Sequence, residues 1–165
     1  MALQSLEDLF LHDLKDLYNA ENQILKALPR MAKKASSPDL RRAFEMHLKQ
    51  TEGQVKRLER VFDLFDERAR GKTCKGMQGL VEEGKEMMTE EDISDDVLDA
   101  ALIAAAQKVE HYEIAAYGTA RTYAEMLGND AAAKLLQQTL DEEGETDKKL
   151  TQLAEQLITV EAVEA

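Results

Sequence analysis

Apolar side chains recur at steps of three and four residues along four long stretches of this chain, and this period constrains the fold more than any other feature. Such steps keep side chains on one face of an α-helix. No comparable period-two alternation, which would indicate strands, competes with it. The sequence therefore predicts an all-α chain with four long helices. The four series include Leu6, Phe10, Leu14 and Leu17; Leu40, Phe44, Leu48 and Leu58; Leu98, Leu102, Ala106 and Val109; and Leu136, Leu140, Leu150 and Leu157.

Capping residues indicate where the helices begin and end. Ser5 with Asp8 three residues later is typical of a capping box. Pro38 follows Ser37 and suits the first position of a helix, whereas Gly128 suits the left-handed residue after one. From these signals we predict helices over residues 5–35, 38–69, 95–127 and 130–158.

The connections between the helices predict the topology. Helices one and two, and helices three and four, are joined by so few residues that each pair must form an antiparallel hairpin. Residues 70–93 lie between the hairpins, and a short helix is expected over Leu80–Met88. A connection of this length can cross the whole bundle, which is the ferritin-like topology. We therefore expect residues 1–165 to form a single ferritin-like antiparallel four-helix bundle.

Glutamates interrupt the apolar faces of the predicted helices. Glu21 takes a leucine's place in the first series, and Glu113 breaks the third, with Glu110 one turn before it on the same face. Glu143 falls between the apolar residues of the fourth series, and Glu52 flanks the second. Although a lone glutamate beside an apolar face usually reaches to solvent, these five occur on all four helices.

The same glutamates are predicted to lie at one height in the bundle. In an antiparallel hairpin, residues equidistant from the turn face each other. Glu21 and Glu52 are equidistant from the first turn, and Glu113 and Glu143 from the second. Each lies about 15 residues, or roughly 23 Å, from its turn, close to half the length of the bundle. The sequence thus predicts that both pairs meet at mid-height.

Several carboxylates in one core cannot all stay ionised, because each loses hydration and like charges raise one another's pKa. Either protons or a pair of divalent cations must neutralise them. Inward-facing glutamates from four helices are the arrangement of di-iron and di-manganese carboxylate proteins. We therefore expect two divalent ions, iron or manganese, with no catalytic residues separate from their ligands.

The chain resembles the YciE/YciF family of ferritin-like bacterial stress proteins. The segments DLYNAENQILKALPRMAKKA, HLKQTEGQVKRLERVF, QKVEHYEIAAYGTARTYAEMLG and LLQQTLDEEGETDKKL carry the resemblance over nearly the whole length. It implies a fold similar to that of rubrerythrins and a ferroxidase- or peroxide-linked activity in the stress response. The metal ligands that it implies, one helix after another, are Glu21, Glu52, Glu110 with Glu113, and Glu143.

The chain departs from the rubrerythrin pattern in its histidines. That pattern has Glu-x-x-His on the second and fourth helices, but Val55 and Thr146 stand at the histidine positions. His47 lies about 140° around the helix from Glu52, and His111 about 100° from Glu110, so each would reach a metal only through local distortion. A site without imidazole would favour harder ions than iron. Further candidates for ligands or their hydrogen-bonding partners are His47, His111, Asp147, Tyr18 and Tyr117.

Charge and cysteine content restrict the partners. The formal net charge of −12 argues against nucleic acid and anionic membrane surfaces as partners. Cys74 is the one cysteine, so the chain has no internal disulfide, and we expect a cytoplasmic protein that pairs as a homodimer. Two functions stay open: a di-metal enzyme acting with O₂ or peroxide, and a non-catalytic structural or stress-binding bundle whose acidic centre is vestigial.

Overall fold

The computed structural model describes residues 3–157 and residue 163. Within that part, the chain forms five α-helices and no strand, so the predicted all-α class is confirmed. The predicted end of the last helix at residue 158 lies outside the described residues. The helices are α1 (Leu6–Lys34), α2 (Pro38–Asp63), α3 (Lys75–Thr89), α4 (Asp95–Met126) and α5 (Asp130–Leu157).

Side-chain caps begin four of the five described helices, α1, α2 and α5 among them. Ser5 and Asp8 form the predicted capping box at the start of α1. The Leu40 amide donates to Ser37 Oγ at 3.3 Å at the start of α2. Gly128 has a φ of 74°, and the Ala132 amide donates to Asn129 Oδ1 at 3.0 Å, so the α4–α5 turn is built as predicted.

Helix α2 ends at Asp63, six residues before the predicted end at residue 69. The Asp66 amide donates to the Asp63 carbonyl at 3.2 Å, and the Glu67 amide to the Phe62 carbonyl at 3.1 Å. Asp66 itself has a φ of 53°. These are the bonds and the left-handed residue of a Schellman motif. In the sequence the apolar period continues past Asp63 to Phe65. Phe65 follows the end of α2 but still packs on Phe10, with ring centroids 4.8 Å apart.

The four long helices contact one another in a ring: α1 packs on α2 and α4, and α5 packs on the same two helices. Hydrogen bonds from Arg57 to Thr139 and from Thr146 to Gln50 show that α2 and α5 run antiparallel. Asp99 near the start of α4 accepts the amides of Ser36 and Ser37, both at 2.8 Å, so α4 begins where α1 ends. Helices α2 and α4 therefore run in the same direction.

The segment between α2 and α4 is fixed along α1. The Lys72 amide donates to the Lys15 carbonyl at 3.1 Å, and the Cys74 amide to Asn19 Oδ1 at 2.8 Å. Gly71 passes so close that an added Cβ would lie 2.9 Å from the Cβ of Asn19. The segment then enters α3, which is longer than the predicted Leu80–Met88 and packs on α1 and α4.

The core consists of two apolar layers, one on each side of the middle of the bundle. The upper layer contains residues such as Leu28, Phe44, Met77, Leu102 and Leu150, and α3 covers part of it. The lower layer contains residues such as Phe10, Leu14, Leu58, Phe62 and Leu136. None of the described helices is both long enough and apolar enough to cross a membrane.

Candidate metal centre

Polar and ionisable side chains fill the middle of the bundle between the two apolar layers. All four long helices contribute, because each presents polar residues on the face that is apolar above and below. The side chains are 0 to 4% exposed. They are Glu21 of α1, His47 of α2, Glu110 and Glu113 of α4, and Glu143 of α5, and we call them the central cluster.

Four members of the central cluster lie close enough to share an ion. One ligand atom from each of His47, Glu110, Glu113 and Glu143 lies within 4.8 Å of the others. His47 Nε2 is 3.0 Å from Glu110 Oε1, although the ring is not aligned for a hydrogen bond. The fifth member, Glu21, adds a carboxylate from the opposite hairpin whose charge acts on Glu113.

Two neutral side chains orient the cluster from its edges. The Tyr117 hydroxyl donates to Glu21 Oε1, and Gln54 Nε2 donates to Glu143 Oε1. Burial raises the pKa of Tyr117, and the charges of Glu21 and Glu113 raise it further, so the phenol keeps its proton and remains a donor. Each of these two bonds leaves the second oxygen of its carboxylate available.

Many ligand atoms of the cluster have no hydrogen-bond partner among the described residues. They are the second oxygens of Glu21 and Glu143, both oxygens of Glu110 and Glu113, and both ring nitrogens of His47. Buried polar atoms are nearly always paired, because an unpaired one costs about 1–3 kcal/mol. Unpaired lone pairs that converge on one point fit a cation.

Burial raises the pKa of every carboxyl group in the cluster. The pKa of Glu21 rises to about 8, with repulsion from Glu143 as the second cause, and that of Glu110 rises to about 7. Burial followed by neighbouring carboxylates raises the pKa of Glu113 and Glu143 well above the ordinary range. The groups therefore hold protons near neutral pH unless a positive ion replaces them.

The donor set fits a first-row divalent ion. Up to four carboxylates and one imidazole are available, and imidazole with carboxylate is a usual combination for iron and manganese. His47, which the helical spacing predicted would reach a metal only through local distortion, is buried beside the glutamates. The ligand atoms could hold a metal ion, and apolar layers lie above and below them.

The predicted inward position of Glu52 is wrong. Glu52 is exposed, whereas His47, Thr51 and Gln54 are buried on the inner face of α2. Residue 52 is turned about 100° from residue 51 around the helix, so the burial of Thr51 carries Glu52 outward. The inner positions of α2 repeat at alternating steps of four and three from Leu40 through His47 to Leu58, a signal that identifies His47 and Gln54.

Three of the lower-ranked candidates lie outside the cluster. His111 is 67% exposed and lies 3.2 Å from Asp147, whose carboxylate also accepts from Gln107 at 3.1 Å. The Tyr18 hydroxyl donates to Glu59 Oε1 at 3.1 Å and not to Glu21. The structure thus brings Glu21, Glu110, Glu113, Glu143, His47 and Tyr117 together and separates Glu52, His111, Asp147 and Tyr18 from them.

Comparison with known proteins agrees with the resemblance seen in the sequence. Residues 5–163 match the family described as Domain of unknown function (DUF892). The chain is 48% identical to Protein YciF of Escherichia coli strain K12 over 155 residues, 93% of each chain. The predicted family resemblance is therefore confirmed.

Solved structures match as well. The crystal structure of the E. coli stress protein YciF aligns with a TM-score of 0.89 over 92% of this chain and 96% of that one, at 48% identity. YcfI of Rhodopseudomonas palustris, proposed as a structural protein, aligns at 0.87 with 44% identity over 90% and 94%. A Xanthomonas campestris protein aligns at 0.73 over 93% and 92%, and its 20% identity indicates a shared fold alone.

Proposed function

Because the chain belongs to the DUF892 family and is related to the stress protein YciF, we propose that it is a di-metal carboxylate protein of a bacterial stress response. Its central cluster binds two divalent ions, iron or manganese, and acts on Fe²⁺, O₂ or peroxide. The observation that carries the proposal is the convergence of unpaired ligand atoms from His47, Glu110, Glu113 and Glu143 within 4.8 Å.

The charge of the cluster supports a cation over protons alone. Protons can be shared within the carboxyl pairs Glu21–Glu113 and Glu110–Glu143, but they leave both ring nitrogens of His47 without a hydrogen-bond partner. Divalent ions neutralise the charge and also use the lone pair of the ring. Iron or manganese, when bound, would supply the electron transfer that the carboxylates lack.

The surrounding side chains hold the ligands in place. Tyr117 fixes one oxygen of Glu21 and Gln54 fixes one oxygen of Glu143, so both carboxylates keep their free oxygens directed into the cluster. Glu110 and Glu113 lie one turn apart on α4 and provide four unpaired oxygens. These four oxygens are free to rearrange as the charge of the site changes.

The helix arrangement supports a ferritin-like four-helix bundle as the scaffold. Two antiparallel hairpins face each other, and the connection that carries α3 lets α2 and α4 run in the same direction. That is the topology in which di-metal carboxylate sites are built from facing helices.

We further propose a cytoplasmic homodimer. A buried free thiol at Cys74 suits a reducing compartment. Exposed Met87 on α3 and Met46 on α2 provide apolar contact surface for a second copy. Nucleic acid and anionic membranes are poor partners for a chain with a net charge of −12.

A non-catalytic bundle is the second candidate. On α2 a neutral Gln54 donates to Glu143 where a ligating carboxylate was expected, and the chain has no Glu-x-x-His motif on that helix. In this case protons or an adventitious ion neutralise the acidic centre, and the bundle acts through its surface.

Metal analysis separates the two candidates. The protein is purified without added metal and its iron and manganese are counted, before oxygen uptake is measured with added Fe²⁺. The first candidate predicts about two ions per chain, as in the di-metal carboxylate bundles, and oxygen uptake above the rate in buffer.

Two histidine variants provide a matched pair for that measurement. His47→Gln removes a ligand from the centre and lowers the metal content, whereas His111→Gln removes an exposed ring and leaves it unchanged. A metal-free protein whose stability is the same in a chelator would support the non-catalytic bundle. Full metal content in His47→Gln would exclude His47 as a ligand.

A further inference from the structure

Two cavities border the central cluster, and both reach it at the same two side chains, His47 and Glu110. A groove of about 440 Å³, with both apolar and polar side chains in its walls, opens between α2, α4 and α5. A smaller cavity of about 50 Å³ lies beneath α3, between α1 and α4. Glu21, Glu113 and Glu143 border neither. His47 and Glu110 are therefore the members of the cluster that face these openings.

Among the apolar side chains of the groove stand several polar ones that can replace water around an ion. Gln50, Thr146 and Gln152 line its walls, and the Thr146 hydroxyl donates to Gln50 Oε1 at 3.3 Å across it. His47 and Glu110 form its inner end with ring nitrogens and carboxylate oxygens that have no hydrogen-bond partner in the described part of the chain. Amide and hydroxyl oxygens lie along the walls, and ligand atoms without a hydrogen-bond partner lie at the inner end. A hard cation can therefore exchange its bound water for protein oxygens in steps along the groove.

The cavity beneath α3 is unsuited to a hydrated cation. Its walls are mainly apolar, with Leu28, Val81 and Val109 among them, and it offers few oxygens to replace a hydration shell. The ionisable residues along it, apart from His47 and Glu110, are the cationic Arg30 and Lys85. Apolar walls and positive charge both oppose the passage of a divalent ion.

We propose that the groove between α2, α4 and α5 is the path by which hydrated divalent cations reach the central cluster, with His47 and Glu110 as the first ligands they meet. Lys149 lies on the groove wall, whereas Arg42 is paired there with Asp39. The charge of Lys149 therefore opposes cation passage and sets the rate of loading. This inference rests on the proposed metal binding.

Stopped-flow mixing of the metal-free protein with Co²⁺, followed by the visible absorption of the bound ion, measures the rate of loading. Lys149→Glu reverses the charge on the groove wall, and Lys148→Glu makes the same change next to it on an exposed residue outside the groove. We expect Lys149→Glu to load about three- to tenfold faster than Lys148→Glu at low salt. The difference should disappear at about 1 M salt, where charges are screened within a few ångströms.

A second variant tests the path without a change of charge. Gln50→Trp narrows the groove and should slow Co²⁺ loading while the final number of ions per chain stays the same. Equal rates in Lys149→Glu and Lys148→Glu, or an unchanged rate in Gln50→Trp, would overturn the path and leave metal binding intact. A parent protein that binds no Co²⁺ would overturn the proposed function and the path together.

Discussion

The central cluster and the lower apolar layer lie one helical turn apart, but burial has opposite effects on stability in the two regions. Leu17 precedes Glu21 by one turn of α1, and Leu58 follows Gln54 by one turn of α2. In the lower layer every contact favours the folded state, because each side chain leaves water for other apolar side chains. In the central cluster each carboxyl loses hydration and gains few hydrogen bonds.

The lower layer needs no partner beyond its own side chains, whereas several buried polar atoms of the cluster have no hydrogen-bond partner among the described residues. The lower layer supplies folding energy whether or not ions are present. The central cluster stabilises the fold only when protons or cations neutralise it. Substitutions in the lower layer should therefore lower stability without changing metal binding, whereas substitutions in the cluster should change metal binding.

The largest effect should come from the lower layer. Phe62 is fully buried there, so Phe62→Ala should lower the free energy of unfolding by about 3–5 kcal/mol through lost burial and the cavity left behind. Urea denaturation measures it, with the same loss expected in chelator and in Mn²⁺. Leu64→Ala, at an exposed neighbour, serves as the control and should change stability by no more than about 0.5 kcal/mol. A loss below about 1 kcal/mol in Phe62→Ala would show that the layer can collapse around the gap.

Metal should produce the next largest effect, and only through the cluster. Mn²⁺ at about a hundred times its dissociation constant should raise the free energy of unfolding by about 2.7 kcal/mol for each ion bound. Glu113→Gln removes a buried carboxylate of the proposed metal site and should abolish most of this gain. Phe62→Ala should retain it, since that residue lies in the other layer. If Glu113→Gln kept the full gain, the ion would bind elsewhere.

Without metal, the protein should lose stability as the pH rises from 5 to 8. In the folded protein the pKa is about 7 for Glu110 and about 8 for Glu21, against an ordinary 4.5. The folded state thus binds more protons than the unfolded state, and its advantage disappears as the pH passes through 7 and 8. The lowered pKa of Asp16 acts only below its ordinary 3.8, outside this range.

Thermal denaturation in chelator checks this pH dependence. The Tm should fall by about 5 °C or more between pH 5 and pH 8, and Glu21→Gln should make the curve flatter. Excess Mn²⁺ should reverse the slope, because the ion binds the ionised carboxylates. A metal-free Tm that rises over this range would contradict the raised pKa values.

The smallest effect should come from Glu52. Because its side chain is exposed, Glu52→Gln should change the free energy of unfolding by no more than about 0.5 kcal/mol. Metal content should equal that of the parent protein, in contrast to Glu113→Gln. Loss of metal from Glu52→Gln would restore the interpretation drawn from the sequence, in which Glu52 is a ligand.

Much of the fold follows from local signals in the chain. The apolar period located all four long helices, and the caps at Ser5 and Ser37 with the turn at Gly128 placed several of their ends. The end of α2 was misplaced because Phe65 continues the apolar period after the backbone has left the helix. An apolar residue can serve the same core from a turn, which periodicity does not detect.

The candidate site was predictable on three helices and not on the fourth. On α1, α4 and α5 each glutamate replaces an apolar residue in a well-defined stripe, so the stripe itself points Glu21, Glu113 and Glu143 inward. On α2 the stripe is broad, since apolar and polar residues alternate around Thr51 and Val55. Sequence spacing alone left two orientations of this helix open.

Four long helices, an acidic centre and the family of the chain can be predicted without coordinates, because helix period, capping and motif are properties of neighbouring residues. Packing between helices places His47 and Gln54, and not Glu52, in that centre. The reason is that the rotation of α2 about its axis is fixed by packing against α1 on one side and α5 on the other. Those contacts join residues far apart in the chain, so the local pattern of α2 favours this rotation but does not determine it.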